Sequence, residues 1–184
     1  MKQDLIKIAQ VTLKILSKKS WNFLSISEVK QKSKIKIFDK EIKNKHVLLR
    51  NINAYFDHVL SLDVRGMDKS NRKDMIFEVI MMRFDILQIY RKPIIKIFEF
   101  FKKRPQELLF MLPSLIESMI TMAKLAKISI VGIKGNLKVK GLLVIYLSSF
   151  LVWVKDNSHS LDKTMTSLDN HLDRAGKLLS IIKI

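Results

Sequence analysis

Cysteine is absent from this 184-residue chain, which excludes disulfides and thiolate metal sites. Glycine and proline are scarce, at 5 and 3 residues. The glycines are scattered, so there is no Gly-rich loop to cradle a phosphate and no Gly-x-Ser-x-Gly elbow to expose a nucleophile. Arginine is scarce as well, with 7 residues against 27 lysines. That matters because the guanidinium fork, not the ammonium point charge, suits bidentate recognition of bases and phosphates. The histidines His46, His58, His159 and His171 show neither His-x3-His spacing nor an acidic partner at zinc-motif spacing. They read as surface or packing residues. No catalytic constellation remains, so neither an enzyme nor a bound cofactor is expected. The start, MKQDLIKIAQVTLKIL, is interrupted by polar residues every few positions, so no signal peptide is expected. A cysteine-free chain agrees with a reducing cytoplasm.

What is present is apolar and basic. The apolar fraction is 48% and the net charge is +17. The first value indicates a folded chain with a good core. The second suggests a polyanionic partner, nucleic acid or an anionic membrane surface. Lysine, isoleucine and asparagine are abundant together, a bias that A+T-rich coding also produces, and both readings of the charge stay open. The distribution is uneven. Residues 1–60 hold 13 Lys/Arg against 5 Asp/Glu, whereas the remaining 124 hold 21 against 12.

Local pattern points to helix after helix, and no stretch alternates as a strand. Helices are predicted over 3–18, 25–32, 36–42 and 45–61, then 72–90, 93–102, 105–127 with a bend or break at Pro113, 137–155 and 161–180. Ser25 with Glu28 three residues on predicts a capping box, and Asn44 predicts a cap for the following helix. Two short helices before a long one form the pattern of a helix-turn-helix module. The chain divides into a head over 1–62 and a body over 70–184, with the polar stretch Asp63 to Asn71 and a loop at Gly132 and Gly135 as breaks.

The body carries two further signals. Leu161, Met165, Leu168, Leu172, Ala175 and Leu179 recur at spacings of 4, 3, 4, 3 and 4, a seam that packs on another helix. The stretch Gly141 to Val154 is apolar nearly all round. At 14 residues it is short of the roughly 20 needed to span a bilayer and reads as a buried helix. Together the two helices predict a homodimer interface carried by Leu161, Met165, Leu168 and Leu172, although completion of one monomer's core gives the same pattern. Methionines and aromatics also concentrate in the body, with Met81, Met82, Met111, Met119 and Met122 among them. They suit either a plain core or an adaptable apolar pocket. The lining candidates are Phe84, Leu87, Phe98, Met119, Met122, Tyr146 and Trp153. The tail Leu178 to Ile184 is apolar with lysine, which fits packing on the body or peripheral contact with a membrane.

Between Ile8 and about Leu60, the first amphipathic helix, Trp21-Asn22-Phe23-Leu24-Ser25-Ile26-Ser27-Glu28-Val29 and Asn44-Lys45-His46-Val47-Leu48-Leu49 follow one another in order. In this the head resembles the DNA-binding domain of the TetR family of transcriptional regulators. The resemblance implies an all-α fold with a helix-turn-helix head and a ligand-binding body, dimerised through the last two helices. It also implies that Lys45 meets a DNA phosphate. The chain departs from the family pattern at several points. Lys34 stands where the turn glycine belongs, the recognition segment is about two residues short, and Asp39 and Ile42 replace the family's Tyr-x-x-Phe. The recognition helix is degenerate. From Arg72 to Ala175 a narrower resemblance holds. It rests on Arg72-Lys73-Asp74-Met75-Ile76-Phe77-Glu78-Val79, Arg83-Phe84-Asp85 and Val152-Trp153-Val154-Lys155-Asp156-Asn157-Ser158 with Leu161-Asp162-Lys163-Thr164-Met165-Thr166-Ser167-Leu168-Asp169. This is similar to the lipid-binding accessory proteins of coenzyme Q (ubiquinone) biosynthesis, in which a TetR-like body holds an isoprenoid or lipid.

Two functions follow. One is a DNA-binding regulator responding to an apolar ligand, with Lys34, Lys36, Lys40 and Lys45 on phosphates. The other is an accessory protein that binds lipid and not DNA. One fold serves both, and the state of the recognition helix discriminates them.

Overall fold

Helical periodicity runs through the chain, and the computed structural model, which describes residues 1–64 and 71–181, is all-α with no strand among those residues. The elements are α1 (Gln3–Lys18), a 3-10 turn (Trp21–Phe23), α2 (Ile26–Ser33), α3 (Phe38–Glu41), α4 (Lys45–Asp63), α5 (Arg72–Ile89), α6 (Arg91–Lys103), a second 3-10 turn (Pro105–Phe110), α7 (Leu112–Leu125), α8 (Gly132–Lys155) and α9 (Asp162–Ile181). Of the tail Leu178 to Ile184, the last three residues and all the side chains lie outside the described residues, as does Gly66 of the predicted link.

Two compact units form, Met1–Val59 with Ile86–Leu115, and Leu60–Asp85 with Ile116–Ile184. These packing units are discontinuous in sequence. In the first unit, α1 buries Ile8, Ala9, Thr12, Leu13, Ile15 and Leu16. These residues fall on one face because they recur at three- and four-residue steps, and that face packs on α2 and α6. Val29, Phe38 and Leu48 are fully buried in the same unit. Asn51 Nδ2 donates to the Leu5 carbonyl at 3.0 Å, and Lys96 Nζ donates to the Ser17 carbonyl at 3.1 Å. The prolines act as first-turn residues. Pro93 lies inside the first turn of α6, Pro105 opens the 3-10 turn and Pro113 sits in the first turn of α7, positions where a missing N–H costs nothing. The single helix predicted over 105–127 is therefore broken just before Pro113.

In the second unit α8 packs along α9. The buried residues of α8 are Gly135, Val139, Leu142, Tyr146, Ser149 and Trp153, and α9 answers with Thr164, Leu168 and Leu172. The loop predicted at Gly132 and Gly135 is corrected. Both glycines lie inside α8, which starts five residues earlier than periodicity suggested. Gly132 takes a positive φ of 70°. Gly135 is buried against the segment that precedes α8, where an added Cβ would stand 2.0 Å from the Ile130 carbonyl carbon. Gly141, by contrast, has nothing within 4 Å of an added Cβ.

Gly135→Ala is predicted to force the chain at Ile130 to move, at a cost of about 1–3 kcal/mol. Gly141→Ala is predicted to stabilise the helix by about 0.5–1 kcal/mol. Thermal and urea unfolding of the two variants measure the contrast, and equal effects of the same sign would contradict the packing at Gly135.

Candidate functional site

The segment expected to meet DNA lies in the first unit. Helix α2 begins after Ser25, as predicted, but without the capping box. The Ser25 side chain makes no cap hydrogen bond, and Glu28 pairs instead with Lys19 at 2.5 Å and Lys32 at 2.8 Å. These two ammonium groups hold the Glu28 carboxyl below its ordinary range. Helix α2 ends at Lys34, which adopts the left-handed conformation with φ 55° and ψ 35°. A residue with a Cβ is strained there by roughly 1 kcal/mol, and glycine would not be. The chain therefore makes this turn with an ill-suited residue.

The next helix is a single turn. Helix α3 is 4 residues long. Phe38 is fully buried and Ile42 nearly so, so both are anchors for the core. Asp39 lies against Lys30, and Glu41 accepts from Lys2 at 2.9 Å. Among the predicted phosphate contacts, Lys34, Lys36 and Lys40 are exposed around this turn. Lys45 differs from them. It is half-buried, and its Nζ donates to the carbonyls of Trp21 at 3.2 Å and Asn22 at 3.4 Å. The ammonium also stands 5.6 Å from the Trp21 ring centroid, within cation–π range. Burial lowers its pKa. Asn44 caps α4 as predicted, its Oδ1 accepting from the Val47 N–H at 2.9 Å.

The second unit holds five of the seven apolar lining candidates. Phe84, Met119, Met122 and Trp153 are fully buried and Tyr146 nearly so. Phe84 stacks on Tyr146 at 5.5 Å and on Trp153 at 6.4 Å between ring centroids, and Phe150 joins against Trp153 at 5.4 Å. Such offset stacks add about 0.5–1.5 kcal/mol per pair beyond area burial. Leu87 and Phe98 belong to the first unit, where Leu87 is buried and Phe98 half-buried. Ser149 lies on the same face of α8 as Tyr146 and Trp153. Its hydroxyl is buried and has no hydrogen-bond partner, an arrangement that costs about 1–3 kcal/mol.

The predicted interface seam faces inward. Leu161, Leu168 and Leu172 are all buried within the chain, and of the four only Met165 is exposed. Leu179 falls among the residues whose side chains lie outside the description. Within the single chain α8 is covered on one side only. Its most apolar 18-residue window has a mean hydropathy of 1.7 yet is only 28% buried. The helix is 24 residues long, and among the described residues it alone is long and apolar enough to cross a membrane. Ile133, Leu137, Val144 and Leu151 are exposed by 89%, 43%, 64% and 53%. They lie 4, 7 and 7 residues apart, which makes a stripe along the helix.

The corner between α8 and α9 is built on Asp156. Its carboxylate is fully buried. One oxygen accepts from Ser158 N at 3.1 Å and Ser158 Oγ at 2.6 Å, and the other accepts from Thr164 N and Thr164 Oγ1, both at 2.8 Å. Burial alone would raise the Asp156 pKa, but the donors of Ser158 and Thr164 overcome it and hold the group well below its ordinary 3.8. Ser158 Oγ in turn accepts from Asp162 N at 2.9 Å. The first-turn N–H groups of α9 are thus satisfied from the preceding corner and not by a conventional N-cap. Leu161, between them, is left-handed at φ 56°.

No protein-family model matches the chain, and no curated protein matches it. Among the described residues, no group of three or more His, Asp or Glu side chains gathers as a metal site.

The Asp156 pKa sets a pH dependence. A carboxyl depressed in the folded state contributes stability that is fully present above its unfolded value near 3.8 and is lost as pH falls below it. Asp156→Asn is predicted to cost about 1–3 kcal/mol at neutral pH and to flatten the acid limb of the stability curve below pH about 4. Chemical denaturation from neutral to acid pH measures both. An unchanged acid limb in the variant would remove Asp156 from this role.

Proposed function

We propose that this chain is an accessory protein of the coenzyme Q biosynthesis type. In this reading it has a TetR-like fold whose body holds an apolar isoprenoid or lipid, and its head does not read DNA. The observation that carries the reading is the length of α3. A helix that reads a major groove presents three or four side chains along it to base edges. A single turn whose Phe38 is buried and whose Asp39 and Glu41 are paired with Lys30 and Lys2 leaves too few side chains to meet base edges along a groove. Lys45 points the same way, since two of its donors are spent on backbone carbonyls.

In this reading the ligand is held by the second unit, whose interior Phe84, Met119, Met122, Tyr146 and Trp153 make apolar. The buried Ser149 hydroxyl supports a ligand with one weakly polar end, because a bound carbonyl or hydroxyl would complete its hydrogen bonding. The exposed stripe of α8 supports a homodimer, with Val144 and Leu151 in place of the inward seam. Surface of this kind on one helix is larger and more continuous than scattered apolar residues on a monomer.

Mass spectrometry of organic extracts from the purified protein is expected to find one class of apolar ligand in near-stoichiometric amount. Ser149→Ala is expected to leave the fold as stable or slightly more so while reducing retention. Fluorescence anisotropy with duplex DNA is expected to give only weak binding whose log affinity falls with log salt at about −0.9 per phosphate neutralised. Nanomolar, salt-tolerant binding to one palindrome would replace this reading with the regulator. Sedimentation is expected at about twice the 21.5 kDa chain mass, and near that mass for Val144→Glu with Leu151→Glu. A wild-type monomer would overturn the dimer.

A further inference from the structure

A cleft of about 550 Å3 opens in the first unit, lined by Trp21, Asn22, Lys45, His46, Phe100, Arg104 and Glu107. Its volume falls in the range of small-molecule sites. Its lining comes from three places in the chain: the 3-10 turn Trp21–Phe23, the first turn of α4 and the end of α6 with the 3-10 turn that follows. The floor is aromatic. Trp21 is almost fully buried, with Phe100 tilted against it at 6.3 Å. Two cations stand over those rings, the Lys45 ammonium over Trp21 at 5.6 Å and the Arg104 guanidinium over Phe100 at 5.8 Å. Arg104 is exposed, and its planar fork can meet an acidic group in bidentate fashion. The one carboxylate in the cleft, Glu107, is held by His46 Nε2 at 2.7 Å, while His46 stacks on Phe110 at 4.4 Å. Two cations against one carboxylate leave the cleft positive.

We infer that this cleft binds a small flat anion, an aromatic ring carrying a carboxylate or sulfonate, with the acidic group on Arg104, in the field of the Lys45 ammonium, and the ring against Phe100. A phosphate-only ligand would use the cations and leave the apolar wall exposed, and a neutral ring would leave the cations unanswered. The inference is independent of the apolar ligand proposed for the second unit, since none of its residues is shared.

Isothermal titration of the full chain with 2-naphthoate tests it, with acetate and 2-naphthylmethanol as single-feature controls. Saturable one-site binding of 2-naphthoate, at least about tenfold tighter than either control, is the expected result. Arg104→Ala and Phe100→Leu should each weaken it by about tenfold, and Arg104→Lys should weaken it less than Arg104→Ala. Glu107→Gln should tighten it, because it removes the one negative charge. Circular dichroism of each variant checks folding, and Arg104, being exposed, is the substitution least able to disturb the fold. No saturable binding by the wild-type chain at about 1 mM probe would overturn the inference. So would binding that folded Arg104→Ala leaves unchanged, equal binding of 2-naphthylmethanol, or weaker binding by Glu107→Gln.

Discussion

One buried carboxylate fixes the corner on which the second unit depends. Asp156 sits where the chain leaves α8, and every oxygen lone pair it directs inward is met by a donor from Ser158 or Thr164. A buried charge without those donors would be strongly destabilising, and with them it ties the first turn of α9 to the end of α8. The left-handed Leu161 is tolerated because the hydrogen bonds on either side over-determine its place. Trp153 lies one turn before the carboxylate and Leu168 one turn beyond Thr164, so the corner sets how the two buried faces meet.

That arrangement gives a physical meaning to the stretch from Trp153 to Leu168. Trp153, Asp156, Ser158, Leu161, Thr164 and Leu168 each have a structural task, as ring in the stack, capping carboxylate, its donors or core leucine. A chain needing this helix corner would use the same residues whatever it bound. The stretch therefore speaks first for this helix corner and not for a ligand. In the first unit the balance differs. The surface ion pairs around α2 and α3 are exposed and screened by solvent, too weak to dictate a function. What bears on DNA reading is the geometry of α3, a length fixed by the buried anchors Phe38 and Ile42 at its two ends.

Periodicity made the helices legible, because burial on one face imposes three- and four-residue steps. Asn44 was legible as a cap because its side chain acts on backbone only three residues away. Periodicity did not reveal which surface a face meets. The seam Leu161, Leu168, Leu172 has the spacing of an interface between molecules, yet α8 of the same chain covers it. Glu28 had the spacing of a capping box, and two lysines outcompeted the backbone for it. Gly132 and Gly135 read as loop punctuation, although Gly135 is required inside the helix by the close approach of Ile130. The cleft left no sequence signal at all, since Trp21 and Lys45 lie more than fifty residues from Phe100, Arg104 and Glu107, and no local spacing connects them.

The outward stripe of α8 bears on how two copies would meet in the proposed dimer. Between Gly132 and Lys155 the helix has no acidic residue, and its lysines are Lys134, Lys138 and Lys140 near one end and Lys155 at the other. The segment from Gly141 to Val154 carries no charge. Two parallel copies in register would bring the three-lysine ends together, and like charges at contact distance oppose association even when salt screens beyond roughly 8 Å. Two antiparallel copies would instead lay uncharged segments across one another at Val144 and Leu151 and send the lysine-rich ends apart. Hydrophobic burial is indifferent to direction along such a stripe, so charge is the term that selects it. Of the two possible two-fold contacts, charge thereby favours the antiparallel one, with Ile133 and Leu137 at its margins and Val144 and Leu151 near its centre.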